Sequence, residues 1–271
     1  MSKKARIVAF ANQKGGVGKS TTTICAARAA NVYHGARVLV LDMDPQGNTT
    51  STLARDDYTA EDISLADAIV PETDVVLPEV ILPSIWEGID LAPGGETLAV
   101  AEQKILATAF GREHRLREAL TPVLDNYDLV LIDNAPALGL LLINSLVAAH
   151  SAVLVTEADR WSADGLALLG KTLTGVRNYH NPQLEIAGTV VNKWRGTANE
   201  ARTAEDMIEG MGRHFPGVPI WMDHRIPLWV GIKDTLDAGL GLDQAATKLR
   251  VLAEDTYKPI TAQLLGVGVA A

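Results

Sequence analysis

Two lysines flank a glycine turn in Lys14-Gly15-Gly16-Val17-Gly18-Lys19-Ser20-Thr21, directly after the apolar run 7–11. Those residue types at that spacing suit the holding of a polyphosphate. A strand ending in small residues can turn sharply into a helix whose first free N–H groups, with the helix dipole behind them, face an anion. Glycine lets the backbone come close without a Cβ clash. In the general phosphate-loop pattern, the lysine after the last glycine neutralises the outer phosphates and the next hydroxyl ligates Mg2+, roles that fall to Lys19 and Ser20. The strict pattern is broken in one respect: Gln13 stands where the first glycine is required, and Lys14 is an added cation.

Acidic residues follow two further apolar runs. Asp133 ends the run 129–132, so its carboxylate emerges beside the phosphate loop, where it can orient Mg2+ directly or through water. Asp42 and Asp44 close the run 37–42 and begin Asp44-Pro45-Gln46-Gly47, which taken alone would be a common turn sequence.

Together these segments carry a resemblance. Residues 14–21 resemble the deviant Walker A motif of the ParA/MinD ATPases, whose signature lysine stands where Lys14 does. Residues 40–48 are similar to that family's second acidic motif, and 129–142 to its Walker B strand and the turn after it. All three match the ParA (Soj-type) partition proteins, over about residues 6–240, with specificity concentrated in the first 150. The resemblance implies ATP and Mg2+ as cofactors and a dimer that sandwiches nucleotide, with Lys14 reaching the phosphates of the other subunit. It also implies that Asp44 positions the attacking water and that Asp42 supports the Mg2+ shell. Asn192, after the apolar run 186–191, would read the adenine amine, and Pro227 would line the other side of the base; Asn192 reads nearly as well as an ordinary strand-terminating residue.

In this family partition rests on non-specific DNA binding and on a ParB-type centromere-binding partner that stimulates hydrolysis. The net charge of −9 opposes DNA as a sum, but its distribution matters more. Residues 51–102 hold twelve acidic side chains and one basic one, Arg55, while 171–233 hold eight basic and six acidic ones. A cationic C-terminal face therefore has Lys193, Arg195, Arg202, Arg225 and Lys233 as candidates, for a mode dominated by phosphate neutralisation. An ordinary mixed solvated surface fits the same count. Where relatives show an Arg-Asn-Val-Arg-type run, this chain has Leu228-Trp229-Val230-Gly231. Trp161, Trp194, Trp221 and Trp229 read as packing residues rather than base stackers.

The elements that must position these groups follow from the pattern. Mostly continuous β-rich runs recur at 6–11, 37–42, 88–92, 128–133, 152–156 and 185–191, and helical stretches at 20–34, 98–126, 139–149, 163–179 and 198–215. That alternation predicts an α/β fold: a doubly wound, mostly parallel sheet with helices on both faces, a P-loop NTPase of the deviant Walker A type, with ligands at the carboxyl ends of the strands. One domain over 1–271 is expected, with no helix-turn-helix domain ahead of residue 14. Cys25 has no partner at metal-ligand spacing and reads as a small packing residue in a reducing compartment. No export signal is evident and the window 137–155 is interrupted by polar residues, so a cytoplasmic, nucleoid-associated protein is expected. The tail 264–271 lacks the basic amphipathic character by which MinD relatives hold membranes. Three rivals remain at this point: an orphan ParA-like positioner of a protein cargo or division component, a dethiobiotin-synthetase-like ATP-dependent ligase, and an inactive nucleotide-binding scaffold.

Overall fold

A computed structural model of the protein describes residues 4–267 except 60 and 159–161. Among the described residues seven strands form one sheet: β1 Arg6–Ala11, β2 Val38–Met43, β3 Leu82–Pro83, β4 Ile89–Ala92, β5 Leu129–Asn134, β6 Ser151–Glu157 and β7 Glu185–Asn192. Their spatial order is β3-β4-β2-β5-β1-β6-β7, and every pairing is parallel except β3 with β4. The α-helices are α1 Lys19–His34, α2 Asn48–Leu53, α3 Leu65–Ile69, α4 Leu77–Val80, α5 Thr97–Leu106, α6 Arg115–Leu120, α7 Leu140–Ala148, α8 Ser162–Tyr179, α9 Ala198–His214, α10 Val230–Asp237, α11 Thr247–Leu252 and α12 Lys258–Leu265.

The continuous apolar strands are covered on both faces, as a parallel sheet requires. Successive side chains alternate between two cores. Ile7, Ala9, Leu39, Leu41, Val130 and Ile132 pack under α3 and α5 to α9, whereas Val8, Phe10, Val38, Val40, Leu129 and Leu131 pack under α1 and the C-terminal helices. On that second face α12 lies along α1: Tyr257 and Leu264 are buried there, and the Nε2 of His34 bonds to the Thr261 hydroxyl. Cys25 is buried, as expected of a small packing residue.

Both edges of the sheet are partly blocked. β3 is two residues long and includes Pro83, which has no N–H to offer a further strand. Along β7, the Thr189 N–H donates to Pro219, and Thr189 and Val191 carbonyls accept from Trp221 and Ile226.

The sequence-based helix over 98–126 is two helices and a loop. At the end of α5 the Thr108 hydroxyl donates to the Ile105 carbonyl, and Gly111 turns the chain at φ +70. Buried Asn144 from α7 then fixes the break, donating to the Arg112 carbonyl and accepting from the Leu116 N–H at the start of α6. The short elements α2, α3, α4 and β3, and the helices α10 to α12, were not legible from periodicity. Trp221 is buried, Trp194 and Trp229 are half-buried, and Trp161 lies outside the described residues. Among the described residues, no helix is long and apolar enough to cross a membrane.

Candidate nucleotide site

β1 delivers the chain to the loop 12–18 at the centre of the sheet's carboxyl edge, where order places β5 on one side and β6 on the other. Gly16 and Gly18 take φ +74 and +89, conformations that L side chains seldom adopt, and Gly18 is the residue from which α1 starts. Buried Val17 anchors the turn from below, while Gly15 and Gly16 are exposed. Ser20 and Thr21 stand half-buried in the first turn, and the Thr22 hydroxyl donates back to the Gly18 carbonyl at 2.7 Å. A cavity of about 410 Å3 opens here, lined by Gly18, Lys19, Ser20, Thr21, Asp44 and Lys233 among others.

Lys19 is 6% exposed. Burial pushes its ammonium below the ordinary value, and the Asp133 and Asp44 carboxylates act in the opposite direction. A lysine held dry between two carboxylates is suited to an incoming anion, since its charge is already oriented and costs no further desolvation.

The acidic floor is set by strand register. Asp42 and Asp133 are directly paired across β2 and β5, so their carboxylates lie side by side. Asp42 Oδ2 accepts from both the N–H and the hydroxyl of Thr50, each at 2.8 Å, and its Oδ1 accepts from the Asp44 N–H. Asp133 Oδ2 accepts from the Thr49 hydroxyl at 2.7 Å, whereas its buried Oδ1 has no hydrogen-bond partner. Burial and the neighbouring Asp133 push the Asp42 carboxyl up to about 7, and burial pushes Asp133 up to about 6 despite the Ser20 and Thr49 hydroxyls. Asp44 is buried, and its Oδ1 accepts the Gln46 N–H at 2.9 Å. An orphaned carboxylate oxygen, a second carboxylate beside it and a hydroxyl at Ser20 form a hard oxygen set that fits Mg2+.

Lys14 is placed elsewhere. Its N–H donates to Asn12, and its ammonium stands 3.6 Å from Glu157 at the end of β6 rather than in the lining of the cavity. Asn192, at the end of β7, is 5% exposed and has both ends of its amide engaged: Nδ2 donates to the Val17 carbonyl at 2.9 Å and Oδ1 accepts from the Lys193 N–H at 2.7 Å. A Cβ on Gly18 would lie 2.1 Å from that Nδ2, so the two residues close the loop against β7. Pro227 sits in a segment that runs beside 192–194, with Trp194 donating to Ile226 and Leu228 to Trp194 through backbone groups.

The basic candidates are engaged in different ways. Lys193 pairs with Glu157 at 3.1 Å, Arg195 with Glu200 at 3.6 Å, and both line a cleft between β7 and α9. Arg202 is exposed on α9. The Arg225 guanidinium lies over the Trp194 ring at 4.8 Å, and Lys233 on α10 faces the nucleotide cavity.

Sequence reasoning missed four supporting residues. Thr49 and Thr50 orient the two buried carboxylates, and their place within two turns of Asp44 was the available signal. Gly94 is the third: its N–H donates to the Thr50 hydroxyl, and a Cβ there would lie 2.1 Å from the Asp42 carbonyl. Glu157 is the fourth, and only the register of β6 shows it.

Comparison with known proteins agrees with this geometry. Residues 5–186 match the AAA_31 family, an AAA domain. The sporulation initiation inhibitor protein Soj of Bacillus subtilis is 38% identical over 212 residues, covering 78% of this chain and 80% of Soj. The chain belongs to the ParA/MinD-type ATPases. An uncharacterized protein of Mycobacterium tuberculosis is 40% identical over 209 residues, 77% of this chain, and the match spans 64% of that relative's own length. Among solved structures, cobyrinic acid a,c-diamide synthase of Mycobacterium smegmatis, with bound ADP and magnesium, is 30% identical with TM-score 0.74, covering 86% of this chain and 93% of that one. The ATP complex of a McdA variant from Cyanothece shares the fold with TM-score 0.82 at 20% identity, over 99% of both chains.

Proposed function

We propose that this ParA-like ATPase binds Mg2+-ATP, closes into a homodimer around two nucleotides and carries DNA cargo while ATP lasts. On this reading residues 1–271 act as a single P-loop ATPase domain. The loop N–H groups of 15–21 and the Lys19 ammonium hold the phosphates, and Ser20, Asp42 and Asp133 hold the metal. Held by those three side chains, Mg2+ would supply positive charge to offset that of the phosphates. Asp44 orients the attacking water, and Asn192 and Pro227 flank the base.

The single observation that carries the dimer is the position of Lys14: its ammonium stands at Glu157, outside its own cavity, where it can serve a second subunit. Supplied in trans, it acts as an arginine finger does, stabilising transition-state charge. Non-specific binding of double-stranded DNA would use Lys193, Arg195, Arg202, Arg225 and Lys233, with release when a ParB-type centromere-binding protein stimulates hydrolysis. Support comes from the likeness to Soj and to the chromosome partitioning protein ParA of Myxococcus xanthus, which is 35% identical over 208 residues. Such a protein would reside on the nucleoid.

DNA co-sedimentation with ATP, ADP or no nucleotide tests this reading. Retention is expected with ATP alone, falling steeply as salt rises; retention without nucleotide, or none at all, would refute the DNA-carrier role. A cargo adaptor that stimulates hydrolysis where a centromere-binding protein does not would instead support an orphan positioner. An ATP-dependent ligase is the second reading, favoured by the 30% identity to the Mycobacterium smegmatis synthase. The paired Lys14 and the Asp44-Pro45-Gln46-Gly47 turn weigh against it, and ATP-dependent DNA pelleting would exclude it.

A further inference from the structure

We propose that Glu157 is a positioning residue for Lys14, holding the signature ammonium on its own subunit until a partner's triphosphate takes it. The proposal rests on the trans role of Lys14 given above. One carboxylate here serves two lysines: Oε2 lies 3.6 Å from Lys14 and Oε1 lies 3.1 Å from Lys193. Glu157 is not the sole contact of Lys14.

The backbone is arranged to bring these three together. Glu157 is the last residue of β6 and is paired in register with Asn192, the last residue of β7. The next residue, Lys193, has φ +55, and it is the one non-glycine residue with positive φ among those described. That turn returns its side chain to Glu157, and Asn192 supports it by accepting the Lys193 N–H. From the other side, Asn12 donates to the Val155 carbonyl of β6 and accepts the Lys14 N–H, which ties the base of the loop to the same strand.

The partition of contacts gives the device its direction. Lys193 retains Glu157 when Lys14 leaves, so departure of Lys14 exposes no unpaired acid. Lys14 is 39% exposed and Glu157 20%, so the contact is screened and weak enough to be surrendered. A triphosphate, with several charges behind a dry interface, outcompetes a single carboxylate. ADP lacks the terminal phosphate and leaves the lysine where it is. Glu157 thus sets how much ATP is needed before subunits pair.

The test is the concentration of a slowly cleaved ATP analogue that gives half-dimerisation by sedimentation, measured beside the affinity of monomer for a fluorescent ADP. A surface pair of this kind amounts to about twofold. Two are surrendered and two nucleotides are bound per dimer, so Glu157→Gln is expected to lower the half-dimerisation concentration by about twofold. Its ADP affinity stays at the wild-type value. Lys193→Gln, which leaves Glu157 to Lys14 alone, shifts the threshold upward and keeps the proposal testable should Glu157→Gln fold poorly. A Glu157→Gln threshold equal to or above wild type with normal ADP binding overturns the proposal, as does a Lys193→Gln threshold below it. Wild-type protein that stays monomeric with the analogue would instead overturn the trans-lysine reading, which separates the two failures.

Discussion

Replacing Asp133 by asparagine should make the nucleotide-free protein more stable while removing its response to Mg2+. The carboxylate is fully buried beside Asp42, and burial pushes its pKa from an ordinary 3.8 to about 6. Two pKa units correspond to about 3 kcal/mol that the ionised side chain costs the folded state. The sign follows from proton counting: between 3.8 and 6 the folded protein holds more protons than the unfolded chain, so stability falls as pH rises through that window. Asp42, raised to about 7, extends the same trend upward. Asparagine keeps an oxygen to accept the Thr49 hydroxyl and also relieves Asp42 of a like charge. Urea unfolding in EDTA should therefore show the variant more stable at about pH 8 by about 2 to 3 kcal/mol, and little different at about pH 4, where the folded wild-type carboxyl is almost wholly protonated. In thermal melts of a chain this size the gain is about 4 to 6 °C. Added ATP should raise the melting temperature of wild type further when Mg2+ is present, and should do so in the variant equally with and without Mg2+. A variant less stable than wild type at that alkaline pH, or one that keeps its Mg2+-dependent shift, refutes the assignment of Asp133 as a destabilised metal ligand.

Four further outcomes follow from other contacts. Thr50→Val keeps the N–H bond to Asp42 but deletes a hydroxyl that serves both Asp42 and Gly94, at a cost of about 1–3 kcal/mol in urea unfolding. Gly94→Ala drives a Cβ into the Asp42 carbonyl, so it should lower stability by about 3 kcal/mol or leave the protein insoluble on expression. His150 accepts the Ile7 N–H through Nδ1, and partial desolvation of its otherwise exposed ring, with Arg6 and Arg117 nearby, lowers its pKa. The unfolded chain then binds the extra proton first, so stability is lost as pH falls below the ordinary 6.5; His150→Asn, which preserves an acceptor, should flatten that limb of the stability curve. Lys14→Ala should leave ADP binding intact while ATP no longer induces dimers, and a variant that still pairs and hydrolyses normally would end the trans-lysine reading.

The glycine turn between β1 and α1 was legible because its requirements are local: three glycines, a lysine and a hydroxyl at fixed spacing allow little else. The central strands were legible because a strand covered on both faces reads as an unbroken apolar run, as at 38–41 and 129–132. The break near Gly111 was hidden because the residue that stabilises it, Asn144, arrives from another helix. Thr49, Thr50 and Glu157 escaped for a related reason: a threonine or a glutamate carries no information about what it will face until register places it. Asn192 reads in sequence as a strand end or an adenine contact, and its hold on the Val17 carbonyl depends on which strand neighbours β1 and β6.

The partly blocked margins of the sheet limit how copies of this molecule can meet. With Pro83 at one border and the 219–226 segment bonded to Thr189 and Val191 at the other, both borders are poorly suited to ladder growth by a second chain. Pairing of two copies is then expected to rest on side-chain contacts, which salt can weaken, rather than on shared backbone.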